Sequence, residues 1–293
     1  MKNKFIAICC VAMAFAGCKE TDAPIGFVTT SSTDSTYVLP TGSIPAADAH
    51  NVLVEEFTGQ SCSNCPAAHA SLDGIAAPGH VNVVGLYITN FSQTTPPSGY
   101  VYDFRDSTAT LIGNGIYGGI SAMPCAGIDR IPVSGSLISY SGTWSGTVTT
   151  QKALVDSVNL AVESSFSGGV ATIKATITYL KAMSTKQNLS IVVVEDSMYD
   201  KQEDGLTVDA SYLFTDVYRG MVTSAPLGDP ILDTMATKEA GRVYWRKYTY
   251  TPKITTPSPA IVPVHCRVIA FVNSQGTGGD FHVLQSWECK LVP

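Results

Sequence analysis

The hydrophobic pattern changes period part-way along the chain, and that change limits the possible folds more than any other feature. Over residues 51–166, short apolar runs at 52–57, 81–89 and 126–131 alternate with stretches at 62–75, 104–112 and 152–163 that read as helices. Buried strands alternating with helices imply an α/β layer. Beyond Gly168-Gly169 the spacing becomes two, clearest at 170–180, 189–194, 242–250, 263–272 and 281–292, as in strands with one buried face. The expected fold class is therefore α+β with two domains, an α/β domain at 51–166 and an all-β, immunoglobulin-like sandwich at 168–293. The Pro-rich stretch 252–263 reads as a loop or sheet edge, because proline cannot donate to a central ladder. With 293 residues, 45% of them apolar and 14% charged, the chain can bury two cores and is not globally disordered.

The N-terminus reads as a targeting segment. Lys2 and Lys4 precede an apolar run at 5–15, about half the ~20 residues needed to span a membrane. Phe15-Ala16-Gly17-Cys18 then resembles a bacterial lipobox, in which the cysteine is acylated and becomes the first residue. Residues 1–17 are thus expected as a lipoprotein signal peptide, Cys18 as the lipidation site, and 18–50, rich in Thr, Ser, Pro, Ala and Asp, as a tether with a short extended run near 35–39. The expected location is the cell envelope, with the membrane as a partner through the lipid anchor. Net charge is -6, and more negative once 1–17, whose only charges are Lys2 and Lys4, are set aside. Nucleic acid is excluded as a partner, since phosphate binding needs a basic footprint.

Export makes the remaining cysteines informative. Cys62, Cys65, Cys125, Cys266 and Cys289 can form disulfides in an oxidising compartment, and an odd number leaves at least one thiol free. Cys62-Ser63-Asn64-Cys65 opens a helix directly after the strand at 52–57. At a helix N-terminus the unpaired amides favour a thiolate, so Cys62 would attack and Cys65 would resolve. Glu56 lies six residues before Cys62 on the preceding strand, and a resemblance to thioredoxins implies there a buried carboxylate that exchanges protons with the resolving cysteine. Met123-Pro124, just ahead of the strand at 125–131, resembles the cis-proline loop that faces the C-x-x-C in thioredoxins, whose exposed backbone can pair with an extended thiol substrate.

Strand, C-x-x-C helix and proline before a later strand look like thioredoxin. More narrowly, Val-Glu-Glu-Phe-Thr-Gly at 54–59 running into Cys-Ser-Asn-Cys-Pro-Ala-Ala-His at 62–69, with Gly127-Ile128-Asp129-Arg130, is similar to the twenty-eight-kilodalton outer-membrane protein family of Bacteroidetes. That resemblance implies an outer-membrane lipoprotein with a thioredoxin-like domain, but no substrate. The leading expectation is thiol-disulfide exchange, with Cys62, Cys65, Glu56 and Pro124 as site residues and protein thiols or disulfides as partners. The alternative is a non-catalytic binding or adhesion module whose disulfide is structural in a thioredoxin scaffold. Metal binding by Cys62, Cys65 and His69 is a third arrangement that the spacing allows.

Other chemistry has little support. Pro66 after the second cysteine excludes a C-x-x-C-H haem signature. The glycines at 113–119 lack the Lys-Ser/Thr of a phosphate loop, and no G-x-S-x-G is present, so no cofactor is expected. Glu55 and Glu56 point to opposite faces of a strand and cannot act as a catalytic pair, one being expected buried and the other solvated. Cys125 is expected as a buried hydrophobe. A hairpin symmetric about 277 and 278 would set Cys266 opposite Cys289, Arg267 opposite Glu288 and Val268 opposite Trp287, so a structural disulfide Cys266–Cys289 is expected.

Overall fold

A computed structural model of the chain describes residues 31–252, 260–275 and 279–291. Cys18, the signal peptide at 1–17, the start of the tether, most of the Pro-rich stretch and the centre of the 277–278 turn lie outside the described residues. Among those residues the first half forms β1 (Ser31–Val38), β2 (Val52–Phe57), α1 (Cys65–Ala76), β3 (Val81–Leu86), α2 (Ser107–Gly115), β4 (Cys125–Ile128) and α3 (Ser141–Lys152). The rest is β-rich: β5 (Val158–Ser167), β6 (Val170–Tyr179), β7 (Gln187–Glu195), β8 (Met198–Asp204), β9 (Thr207–Phe214), β10 (Val217–Met221), β11 (Asp229–Pro230), β12 (Arg242–Tyr250), β13 (Cys266–Ser274) and β14 (Val283–Lys290).

The main sheet runs β14-β13-β7-β10-β3-β2-β4, with β11 also on β7. It joins strands from both halves, so the expected separation into an α/β domain and an independent sandwich is corrected. The bridge is β10, antiparallel to β7 and parallel to β3 through Val217 and Gly85. Gly85 N donates to Asp216 O at 2.8 Å. A Cβ on Gly85 would stand 3.2 Å from that oxygen, so the missing side chain lets the two backbones close up. One face of the sheet carries a single apolar cluster with Leu53, Phe57 and Leu86 from the first half and Val192, Ile269 and Phe271 from the second, packed under α2. On the opposite face α1 and α3 cover β2 and β3 through Ala68, Leu72 and Trp144. Further along, the second sheet, β1-β12-β6-β5, covers β7 and β13.

Several boundaries differ from expectation for identifiable reasons. Residues 152–163 are not one helix: α3 ends at Lys152 and β5 begins at Val158. Gly168 and Gly169, with φ of 59° and 82°, make the tight turn between β5 and β6, so they sit inside a sheet and do not close a unit. The extended run in the tether is β1, an edge strand paired antiparallel with β12 from Ser31↔Thr249 to Val38↔Arg242. Helix α1 starts at Cys65, with Pro66 in its first turn where a missing N–H costs no hydrogen bond, and not at Cys62.

Candidate functional site

Cys62 and Cys65 form a disulfide, S–S 2.08 Å, in the turn that leads from β2 into α1. Cys62 N donates to Gly59 O at 3.1 Å and Cys65 N to Cys62 O at 3.0 Å, which folds the loop back on itself. Two later segments clamp it. From the 92–94 turn, Gln93 O accepts from Ser61 N at 2.9 Å, and a Cβ on Gly59 would come within 2.2 Å of the same oxygen. From the β8–β9 hairpin, Glu203 N donates to Gln60 O at 3.0 Å and Gly205 N to Ser63 O at 2.9 Å. Gln202 Nε2 adds bonds to Gly59 O at 3.2 Å and Cys62 O at 3.1 Å. Both cysteines are 0% exposed.

The hairpin was not anticipated from sequence. Its inward residues are Met198, Asp200 and Gln202, so no apolar alternation announces it. Asp204-Gly205 was the available signal, a turn dipeptide whose glycine has φ 57° at the first central position of a two-residue loop.

The Met123–Pro124 peptide is cis. Its loop and the N-terminal part of α1 border a groove of about 490 Å³ lined by Asn64, Ala67, Ser71, Met123, Pro124 and Tyr140. Cys125, the next residue, is buried and free, and burial followed by the nearby Glu56 pushes its thiol up to about 12. Such a thiol is inert at neutral pH.

Both β2 glutamates are buried, at 2% and 3% exposure, which corrects the expectation that one is solvated. Glu55 meets Arg130 in a bidentate pair, Nε to Oε2 and Nη2 to Oε1 each at 2.8 Å, and accepts from the Tyr117 hydroxyl at 2.5 Å. Arg130 also stacks over Phe271, 4.7 Å from the ring centroid. Glu56 points the other way, toward α1. Its Oε2 lies 3.7 Å from His69 Nε2, and its Oε1 has no hydrogen-bond partner. Burial first, then Asp216 and Asp73, push its carboxyl well above the usual range. His69 is held by Thr58 Oγ1 and the Tyr212 hydroxyl, each 2.7 Å from a ring nitrogen, and burial lowers it to about 4, so the imidazole is neutral at pH 7. Among the described residues no group of three His, Cys, Asp or Glu side chains is gathered tightly enough to hold a metal ion.

The Gly127-Ile128-Asp129-Arg130 segment is a structural junction. Gly127 leaves room for the Tyr117 hydroxyl, which a Cβ would meet at 2.1 Å. Asp129 Oδ1 accepts from Leu53 N at 2.8 Å, and its Oδ2 lies 2.9 Å from His50 Nε2. His50 Nδ1 is 2.6 Å from Asp156, which Gln285 of β14 also contacts. Burial alone would lower His50, but the two carboxylates outweigh it and raise the imidazole to about 9.

Cys266 and Cys289 are free, which corrects the expected bridge. The register sets Val268 opposite Cys289 and Arg267 opposite Lys290, and a bulge between Val272 and Asn273 breaks the assumed symmetry. Cys266 lies opposite Glu195 of β7, and burial first raises its thiol to about 12. Arg267 still reaches Glu288, diagonally, together with Asp196 and Asp216.

Residues 116–288, more than half of the chain, match the family described as Outer membrane protein Omp28. The chain belongs to the Omp28 family. That family is one of outer membrane proteins, and among the described residues no helix is long and apolar enough to cross a membrane. The matched segment of this Omp28-family protein holds cis-Pro124, the 127–130 junction and the β-rich half, whereas Cys62 and Cys65 precede it. HBP35 of Porphyromonas gingivalis is similar in fold, with TM-score 0.63 at 14% identity over 84% of this chain and 77% of that one. A domain of the outer membrane lipoprotein Omp28 from the same organism aligns at 16% identity and TM-score 0.32, over 48% of this chain and 92% of the domain. Among curated proteins none matches.

Proposed function

We propose that this Omp28-family protein is a non-catalytic binding module of the cell envelope, tethered by lipid on Cys18, in which a thioredoxin-like scaffold carries a structural Cys62–Cys65 disulfide. The scaffold reading is supported by the order of elements: β2 runs through the C-x-x-C turn into α1, pairs parallel with β3 on one side and, after the cis-proline, antiparallel with β4 on the other. The observation that carries the functional reading is the complete burial of both cysteines beneath the β8–β9 hairpin. Exchange requires an attacking thiolate to reach a disulfide sulfur. Cys62 also stands three residues ahead of Cys65, where α1 begins, outside the turn in which helix amides favour a thiolate. Thiols released by dithiothreitol, counted with and without urea, test the reading. Release of the Cys62 and Cys65 thiols only in urea is expected, and their release from the folded protein as fast as from an exposed disulfide would overturn it.

A second reading, thiol-disulfide exchange with protein thiols, draws on the raised carboxyl of Glu56 on the strand before the C-x-x-C and, separately, on the groove at cis-Pro124. In it Cys62 attacks, Cys65 resolves, Glu56 takes the proton from Cys65, and Pro124 positions the substrate. It requires the hairpin to lift. Rapid release from the folded protein, with insulin reduction abolished by Cys62→Ser, would favour it.

A further inference from the structure

A cleft of about 570 Å³ opens where the end of α1, the segment before β2, the start of β3 and the strand β14 meet. Its walls are fixed by their own bonds. Ser286 Oγ donates to Asn51 O at 2.6 Å and, having given its one proton, accepts from Asn82 Nδ2 at 2.8 Å. That order sets the orientation of the Asn82 amide and leaves its Oδ1 without a hydrogen bond among the described residues. Asn82 is only 4% exposed, yet it borders the cleft, and its oxygen, unlike Glu56 Oε1, is not sealed from solvent. A nearly buried amide oxygen is costly to keep unpaired unless something in the protein's working state bonds it. The indole N–H of Trp287, beside Ser286 on β14, also has no acceptor among the described residues.

The other groups around the cleft narrow what that something is. Asp48 is positioned by its backbone, whose N–H donates to Asn159 Oδ1 at 2.9 Å, and its carboxylate is left open. His80 Nδ1 meets Asn51 Oδ1 at 2.9 Å, and because that oxygen only accepts, Nε2 of the uncharged ring is an acceptor. Charge argues against ions. No lysine or arginine lines the cleft to receive an anion, and Glu288 is held by Arg267. One exposed carboxylate offers a cation little against its hydration, and among the described residues no acidic or histidine side chains gather for a metal. The open groups are a mixed set, acceptors on Asp48, His80 and Asn82 and a donor on Trp287, standing apart around a space of ordinary ligand size. A hydroxyl both donates and accepts, so a ring carrying hydroxyls round its rim suits such a spread set, while its C–H face suits the electron-rich face of an indole. A peptide presents its donors and acceptors along a line and is met best by a strand edge.

We propose that this cleft binds a neutral pyranose sugar, with Trp287 as the platform for its C–H face and Asn82, Asp48 and His80 as acceptors for its hydroxyls. Trp287 is suited to that task because it also packs against the core beneath the second sheet, which holds the ring in place before any sugar arrives. Such a sugar comes either as a single ring or as one unit of a glycan chain. Naming a ligand class deepens the binding-module reading, on which the role of the site rests.

Calorimetry and tryptophan emission on the full chain at pH 7 test this with glucose, galactose, mannose and N-acetylglucosamine, each as methyl pyranoside and as linear pentasaccharide. Glucuronate, cyclohexanol and acetyl-trialanine amide serve as controls. At least one neutral sugar should bind with a Kd below about 10 mM and at least tenfold more tightly than any control. A pentasaccharide tenfold tighter than its own pyranoside assigns the site to a glycan chain, and equal affinity assigns it to a single ring. Asn82→Leu should weaken binding tenfold or more, with its fold checked by circular dichroism. Asp48→Ala, at an exposed position that the fold does not depend on, should weaken it severalfold. Trp287→Phe should weaken it severalfold and abolish the emission change, since Trp144 and Trp245 do not border the cleft. No sugar binding, a control as tight as the best sugar, affinity unmoved by both Asn82→Leu and Asp48→Ala, or an emission change that survives Trp287→Phe would overturn the proposal. Neither Cys62 nor Cys65 borders the cleft, so thiol release by dithiothreitol can fail or succeed independently of sugar binding.

Discussion

Glu55 and Glu56 are consecutive on β2 and equally buried, yet the two faces of the strand treat them in opposite ways. Glu55 has both oxygens committed to Arg130 and a third bond from Tyr117. Glu56 has a free oxygen, a neutral histidine at 3.7 Å and a cavity in front of it. The first is a closed ion pair that ties β2 to β4 and, through Phe271, to β13. The second is a carboxyl whose burial and neighbouring carboxylates favour its protonated form, and it has one oxygen left without a partner. Burial alone therefore does not say how a carboxylate is held; its partners do.

The largest effect should come from breaking the closed face. Arg130→Ala leaves Glu55 charged and unpaired in the core and should lower unfolding free energy in urea by about 3–5 kcal/mol. A loss under about 1 kcal/mol would mean that the pair contributes little and that the contrast with Glu56 is one of geometry only. Next is the histidine held between Asp129 and Asp156. His50 is raised from 6.5 to about 9 in the folded chain, so its contribution is complete below pH 6.5 and disappears as pH rises through 9. Stability should fall by about 3 kcal/mol across that window in wild type, and His50→Gln should flatten the profile.

The disulfide ranks third. Serine at both Cys62 and Cys65 removes a very short closed loop and should cost about 2 kcal/mol by chain entropy, read as a drop in urea midpoint. The open face gives the smallest effect, with the opposite sign. Glu56 has its folded-state value raised above 4.5, so it destabilises the fold above that pH and not below it. Glu56→Gln should therefore stabilise the protein by about 1 kcal/mol at pH 7 and by nothing at pH 4, a gain held down by the new amide's own unmet bonds. A loss of stability at pH 7 would put Glu56 on the same footing as Glu55.

Much of this was legible in the residues where burial follows a simple period. On β6, Ala171, Ile173, Ala175, Ile177 and Tyr179 alternate into the core as expected. The strand before the C-x-x-C and the proline after it were equally readable. What escaped was polar or irregular. The β8–β9 hairpin buries Asp200 and Gln202 through hydrogen bonds to a loop far away in sequence, a partnership that no local pattern encodes. Val158, Leu160 and Val162 read as part of a helix over 152–163, whereas the helix is α3, which ends at Lys152 and offers few apolar markers beyond Trp144 and Val148. The β13–β14 register turned on a bulge, which depends on how the backbone pairs and not on the spacing of cysteines.

The bridging of β3 by β10 also sets an order of events during biosynthesis. A polypeptide that emerges N-terminus first leaves β3 with one open edge until Val217 has appeared, and Asp129 O waits for Val283 N near the far end of the chain. Such late closures slow maturation and keep an adhesive edge exposed meanwhile. They also leave a period in which the thiols of Cys62 and Cys65 are within reach of an oxidant. The hairpin that covers them lies more than 130 residues further along the chain, so an oxidant reaches the two thiols more easily before that hairpin docks than after it.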